Sequence, residues 1–272
     1  MPLAPAAAVG YLAPTTGAFP AMHQEVERVP SPCEPRTSRL EVRRVTALSA
    51  AELEEAVLLL TAAFDGSPLF QLAFPQQATR RKMVQILFTA TLKDALRFGR
   101  VEIAYNGRLA GVLVWYPPAL YPLSLPRTLR LLPDYLRIAV ATPAGIIKLF
   151  RAHMTLNRVR PSEPHCHGYF LGGRPGEQVG SILGRRVLHI ADEVGHPIYL
   201  ETQDRRTVSL YMRLGFTMLQ DGIETVPGGP LTWTMWREPR LAEPRLAESP
   251  LEPRLAESPL EPRLASSARH AA

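Results

Sequence analysis

The chain is short of cysteine, of long apolar runs and of dense charge of one sign. Only two cysteines, Cys33 and Cys166, occur in its 272 residues. One falls in a proline-rich lead and the other in or near an expected strand. A disulfide between them is not expected, and such sparse cysteine suits a reducing cytoplasm. No apolar run approaches the ~20 residues needed to cross a bilayer. The first residues lack the basic stretch and apolar centre of a signal peptide, so a cytoplasmic location is expected. The net charge of +6 is spread thinly, without the dense basic block of a nucleic-acid groove. Scattered arginines solvate a surface, although a modest positive excess also suits an anionic cofactor. Walker loops, serine nucleophile elbows and paired CxxC motifs are missing too. His165 and His167 stand two apart and share a face of their strand. A zinc site takes three or four ligands, no further Cys/His cluster accompanies them, and no metal is expected.

What is present is ample for one core: apolar residues make up 46% of the chain. Three parts are expected. Residues 1–38 are an Ala/Pro-rich lead without clear period, expected to be disordered. Residues 39–237 form the folded domain. Residues 238–272 contain a nine-residue repeat, 246–254, that returns unchanged at 255–263. Two prolines per repeat exclude a continuous helix or a central strand, so an extended, mobile tail is expected.

Within the domain, residues 40–45 read as a first strand. Ser49 and Glu52 have capping-box spacing, and the helix they start turns Leu53, Val57, Leu60 and Phe64 inward. The segment 65–68 ends it. Residues 79–98 give a second long helix, with Met83, Ile86, Leu87, Ala90 and Leu96 inward. Residues 101–105 and 108–116 flank Asn106-Gly107, a pair suited to the two positive φ values of a tight hairpin turn. Residues 117–164 form a proline-punctuated insertion of amphipathic helices. Leu129, Leu132, Leu136 and Val140 mark one apolar stripe, and Ile146, Phe150 and Met154 mark another. Arg127, Arg130, Arg137, Lys148 and Arg151 are expected on other faces. Packing on the sheet edge, a lid over a pocket and a membrane-surface helix all remain open for this insertion.

The most informative stretch follows. Residues 169–173 read as a strand, and a Gly-containing loop then leads into a helix at 182–194. Such a helix start offers N–H groups and a dipole to an anion. Tyr199-Leu200-Glu201-Thr202 is a second strand, followed by a turn. A short helix carries Val208, Tyr211 and Leu214 at helical spacing, and Gly215-Phe216 stops it. Together these pieces, over roughly residues 40–237, resemble the GCN5-related N-acetyltransferase (GNAT) superfamily. The family's end motif, Asn then Tyr four residues on then Gly-Phe, reappears as Thr207, Tyr211 and Gly215-Phe216. The resemblance implies an α/β fold with a mixed central sheet, helices on both faces and a helical insertion before the cofactor strand.

It also implies chemistry: an acyl-CoA-dependent transfer of an acetyl group from acetyl-CoA to an amine by direct attack. Tyr211 is the implied acid for the departing thiolate, and Glu201 is the candidate base for the acceptor amine. Gly172 and Gly173, with Leu171, are placed near the thioester arm, where a bulge or close backbone approach is expected. Gln178 and the amides of Val179, Gly180 and Ser181 are placed at the diphosphate, with Arg185 or Arg186 in reach of a phosphate and Thr207 at the family's Asn position. The loop departs from the family's Gln/Arg-x-x-Gly-x-Gly/Ala pattern and reads about three residues short. The alternative is therefore a GNAT-fold binding or regulatory protein with impaired catalysis. The acceptor is an amine, on a small molecule or a peptide.

Overall fold

The computed structural model describes residues 40–240. The expected lead 1–38, Cys33 and the nine-residue repeats lie outside them. After β1 (Glu41–Val45), Ser49 Oγ accepts the Glu52 amide at 3.3 Å and the Glu52 carboxylate accepts the Ser49 amide at 2.8 Å. This capping box starts α1 (Ala50–Ala63) and satisfies two otherwise orphaned donors. Val57, Leu60 and Phe64 are buried as their spacing requires. Where only a helix stop was expected, a short α2 (Pro68–Ala73) follows. Pro68 opens it, a position where the missing N–H has no partner to lose. Then come α3 (Gln77–Phe98), β2 (Arg100–Tyr105) and β3 (Leu109–Tyr116).

The β2–β3 turn differs from the tight two-residue form. Only Gly107 has a positive φ, +74°. The register jumps from Ala104↔Gly111 to Tyr105↔Leu109, so a bulge accompanies a three-residue loop. Such a loop needs a single left-handed residue. Asn106 instead donates its side-chain amide to Glu177 at 3.2 Å.

The insertion forms α4 (Leu125–Ala141) and α5 (Pro143–Val159), and the rest of the chain forms β4 (Cys166–Gly173), α6 (Val179–Val194), β5 (Ile198–Thr202), α7 (Arg205–Arg213), β6 (Thr217–Glu224) and β7 (Leu231–Arg237). The seven strands form one sheet in the order β1-β2-β3-β4-β5-β7-β6. Only β4 and β5 pair in parallel; the other neighbours are antiparallel. Helices cover both faces. On one face, α1 to α5 bury a core centred on Phe64, Phe70, Phe88 and Phe170. Phe88 and Phe170 meet edge to face at 4.9 Å, an arrangement that suits ring quadrupoles. On the other face, α6 and α7 bury Leu183, Val187, Val208 and Tyr211 against Leu113 and Leu200.

Most of the apolar stripe of α4 faces outward. Leu129, Leu136 and Val140 are exposed, while Arg127, Thr128, Leu131, Tyr135 and Ile138 are buried. The cause is electrostatic. Asp94 on α3 accepts hydrogen bonds from Arg127 Nε at 3.1 Å, from Arg127 Nη2 and from the Tyr116 hydroxyl at 3.0 Å. The same guanidinium lies 4.9 Å from the Phe98 ring centre, a cation–π distance. A buried guanidinium with a bidentate partner fixes which way the helix turns. In α5 the buried line is Gly145, Leu149, Ala152, His153 and Leu156, with Ile146, Phe150 and Met154 half-buried beside it.

Removing one member of a buried pair strands the other charge. Asp94→Ala is expected to cost about 3–5 kcal/mol in urea unfolding. Arg137→Ala, which breaks only an exposed pair with Asp134 at 3.6 Å, should cost less than about 1 kcal/mol. Equal effects would deny Asp94 its anchoring role.

Candidate functional site at the parting of β4 and β5

β4 and β5 pair over three positions only, Cys166↔Ile198, His167↔Tyr199 and Gly168↔Leu200. Beyond Gly168 each strand stays with its outer neighbour instead. β4 continues along β3 to Gly111↔Gly173, and β5 continues along β7 to Thr202↔Trp233. The β3 register moves from Trp115↔Gly168 to Val114↔Phe170, leaving Tyr169 as an extra residue. A bulge bends its strand and sharpens its twist, and this one sits where the β4–β5 ladder ends. The bulge thus falls at Tyr169, not at Gly172-Gly173. Gly172 serves close approach: a Cβ there would meet Leu60 Cδ2 at 2.8 Å and Ala63 Cβ at 3.1 Å on α1.

Side chains alternate along β5. Ile198 and Leu200 join the α6–α7 core, and Tyr199 and Glu201 point to the other face. Glu201 is 3% exposed and accepts the Tyr199 hydroxyl at 3.0 Å. Burial pushes its carboxyl up to about 7, opposed by the Tyr199 hydrogen bond and the positive charge of Arg160. Around it lies a wall of rings. His167 stacks on Tyr121 at 4.0 Å, and His165 and His167 lie 5.3 and 5.4 Å from Tyr199. Arg160, at the end of α5, stands 4.9 Å over Tyr121.

Burial, reinforced by Arg160, lowers all three nearby histidines; His153 falls to about 4 and His167 well below its ordinary value. They are neutral at pH 7. Neither buried ring nitrogen of His167 has a hydrogen-bond partner, an arrangement uncommon in packed interiors. Among the described residues no group of three or more His, Cys, Asp or Glu converges to hold a metal. Cys166 is buried and its thiol is pushed up to about 11, which leaves it protonated.

On the opposite face, Tyr211 is buried edge-on to Phe216 at 5.5 Å, and burial raises its hydroxyl well above the ordinary value. It borders an apolar cavity of about 50 Å³ between α6 and α7, which Gly168, Leu171, Gly184 and Leu200 also line. Gly184 leaves room: a Cβ there would touch nothing within 4 Å. The parting is therefore flanked by a tyrosine hydroxyl on one face and a carboxyl on the other.

The remaining expected positions divide. Residues 174–178 join β4 to α6, with left-handed Gly176 and Gln178 at φ +82° and +49°. No side chain caps α6. The amides of Val179 and Gly180 open the helix, whereas the Ser181 amide already donates to Gln178 O at 3.1 Å. Gly173 packs against Val179. Arg186 donates to Glu102 on β2 at 2.7 Å, which commits it to an ion pair with the sheet. Arg185 is exposed. Thr207 is buried and bonds Thr202 Oγ1 at 2.7 Å and Asp204 O at 2.8 Å, so it braces the start of α7. Sequence reasoning missed Tyr121, Arg160 and Tyr199 as neighbours of Glu201, and His167 beside Tyr199. The period-two pairs His165/His167 and Tyr199/Glu201 were the available signal.

No family model matches the chain. Among solved structures it is similar to a Corynebacterium glutamicum protein described as histone acetyltransferase HPA2 and related acetyltransferase, at 23% identity and a TM-score of 0.53, over 76% of this chain and 99% of that one. A mosquito arylalkylamine N-acetyltransferase like 5b matches at 16% identity, TM-score 0.43, over 74% of this chain and 100% of that one. A Desulfovibrio desulfuricans protein described as belonging to the GNAT family matches at 14% identity, TM-score 0.41, over 74% and 99%. The fold is that of the GNAT acetyltransferases: a mixed seven-stranded sheet with helices on both faces.

A carboxyl raised from 4.5 to about 7 holds its proton more tightly in the folded chain than in the unfolded one. Its contribution is complete below pH 4.5 and is lost as pH rises to about 7, on the order of 3 kcal/mol in total. Glu201→Gln cannot ionise, so its melting temperature relative to the parent should climb across that window. A difference that stays flat with pH would mean that Glu201 titrates normally.

Proposed function

We propose that the protein is an acyl-CoA-dependent N-acyltransferase that moves an acetyl group from acetyl-CoA to an amine by direct attack. The observation that carries this reading is the end of the β4–β5 ladder at Gly168–Leu200, with Glu201 and Tyr211 on opposite faces of the opening. The residues present fit the thioester donor. The apolar cavity beside Gly184 suits a thin arm, and the uncapped start of α6 suits a phosphate through the amides of Val179 and Gly180. Acetyl-CoA, when bound, supplies an activated acyl carbon and a thiolate leaving group.

The chain's own groups then have definite tasks. An amine entering the Glu201 face arrives largely as ammonium. Glu201, with its carboxyl at about 7, is matched to take that proton near neutral pH. Tyr199 orients the carboxylate through its hydroxyl. Main-chain N–H groups of β4 beyond the end of its ladder with β5 would support a developing oxyanion, where a preorganised donor is worth most. Burial keeps Tyr211 protonated, so its hydroxyl can donate to the departing thiolate, although the same upward shift makes it a weaker acid than a free tyrosine. The acceptor class is an amine whose body tolerates a wall of aromatic rings.

The second reading, a GNAT-fold protein with impaired catalysis, draws on the loop. Only five residues, 174–178, separate β4 from α6. Glu177 is held by Arg108 at 3.0 Å and by Asn106 at 3.2 Å, and this draws the loop towards the β2–β3 turn.

Acetyl-CoA at a hundred times its dissociation constant should stabilise the chain by roughly 2.7 kcal/mol. No melting shift at millimolar acetyl-CoA would favour the impaired reading. With an amine acceptor, kcat/KM is expected to rise with pH up to about 7 as Glu201 loses its proton, then level off. Glu201→Gln should lose about 10²–10⁴ of turnover and that limb of the profile. Tyr211→Phe should lower kcat while acetyl-CoA affinity is kept. Unaltered turnover in Tyr211→Phe would remove the hydroxyl from the mechanism.

A further inference from the structure

The helical insertion carries charge and exposure that acyl transfer does not use. Of the seven arginines and lysines in residues 117–164, Arg127 is buried against Asp94, Arg160 stands at the Glu201 site and Lys148 donates to Leu72 O, whereas Arg130, Arg137, Arg151 and Arg158 are exposed. The outward face of α4 is aliphatic: Leu125, Leu129, Leu136 and Val140 are 53–86% exposed. Ile147 on α5 is 51% exposed, and between the two helices runs an apolar groove lined by Leu132, Leu136, Ala139, Ile146 and Phe150. Soluble surfaces carry single exposed aliphatics freely, but contiguous sets of this kind mark contacts.

Helical spacing of about 100° per residue orders the side chains across this face. Arg130 and Arg137 follow the Leu129–Leu136–Val140 strip on one flank. On α5, Ile147 reaches the rim of the groove, and Arg151 and Arg158, four and eleven residues on, follow it on the exposed side. An aliphatic strip is thus bordered on both sides by cations. The only acidic residue on α4, Asp134, is already paired with Arg137.

We propose that this face docks on an anionic phospholipid surface, with the aliphatic strip entering the headgroup boundary and the arginines meeting lipid phosphates and carboxylates. The combination of an apolar face and a cationic rim is that of interfacial helices. Charge complementarity selects the occupant. A twofold contact between copies would set arginine rows against arginine rows. The segments before residue 40 and after residue 240 are close to neutral and offer no compensating excess of acid. Among the described residues no helix is long and apolar enough to cross a membrane, so the attachment is peripheral. The docked face lies on the outer side of the helices whose inner side delivers Arg160 to the Glu201 site.

The test uses the full-length chain and sedimentation with lipid vesicles. Vesicles of phosphatidylcholine mixed with phosphatidylserine should retain the protein, and added salt should weaken retention. Vesicles of phosphatidylcholine alone should retain much less. Arg130→Glu and Arg151→Glu should each reduce partitioning by roughly fivefold or more. Leu129→Glu with Val140→Glu should reduce it at least about tenfold. All four positions are exposed, so the melting temperature should hold, and Arg44→Glu on β1 should leave retention unchanged. Equal retention by both vesicle types, no retention by either, or variants that bind like the parent would overturn the proposal. So would concentration-dependent dimerisation in light scattering that Leu136→Glu abolishes, which would assign the face to a second copy.

Discussion

The structure turns on one extra residue. Tyr169 enters β4 as a bulge opposite β3, and the parallel ladder to β5 stops at the preceding residue. A bulge costs a ladder hydrogen bond and adds local twist. Here that twist accompanies the parting of two central strands, the one place in the sheet where neighbours hold their outer partners and release each other. The groups proposed for acyl transfer are arranged about that opening. β5 carries Glu201 to one face, α7 carries Tyr211 to the other, and α6 begins where β4 ends.

The insertion gives the opening its electrostatic character. Arg127, clamped by Asp94 and Tyr116, decides which side of α4 is buried. α5 follows and ends at Arg160 beside Tyr121. Burial and that cation together keep His153, His165 and His167 neutral. Glu201 is left as a buried carboxyl whose ordinary acidity is suppressed by desolvation and only partly restored by Arg160 and Tyr199. A carboxyl balanced in this way near neutrality suits the base role proposed for it, because it can both take and release a proton. The balance comes from burial first, then the Tyr199 hydrogen bond and the charge of Arg160, so it depends on the helices above the sheet staying in place.

Local signals in the sequence were legible because the interactions behind them are local. Ser49 and Glu52 act within one turn, and the strand, loop and helix from Cys166 onward follow from composition. The order of elements was readable for the same reason. Long-range pairings were not. Nothing near Leu129 or Val140 shows that they face outward, since the cause is Asp94, 33 residues before Arg127. The Asn106-Gly107 turn went astray because Asn106 answers to Glu177, 71 residues away. Arg186 similarly answers to Glu102 across the sheet. Thr207 looks like a ligand position by motif, whereas its hydroxyl is bonded to Thr202 and Asp204. Gly172, Gly173 and Glu201 were reached through the family resemblance and their strand-end positions. Those delivered by the insertion, Tyr121 and Arg160, were not.

The most direct measurement is a map of backbone amide shifts in an isotope-labelled sample as acetyl-CoA is added. If the parted strands hold the thioester, shifts should concentrate at residues 170–173 on β4, at Val179 and Gly180, and at Glu201. Shifts confined to other surfaces, or none at saturating acetyl-CoA, would contradict the assignment of that opening as the acyl-transfer site.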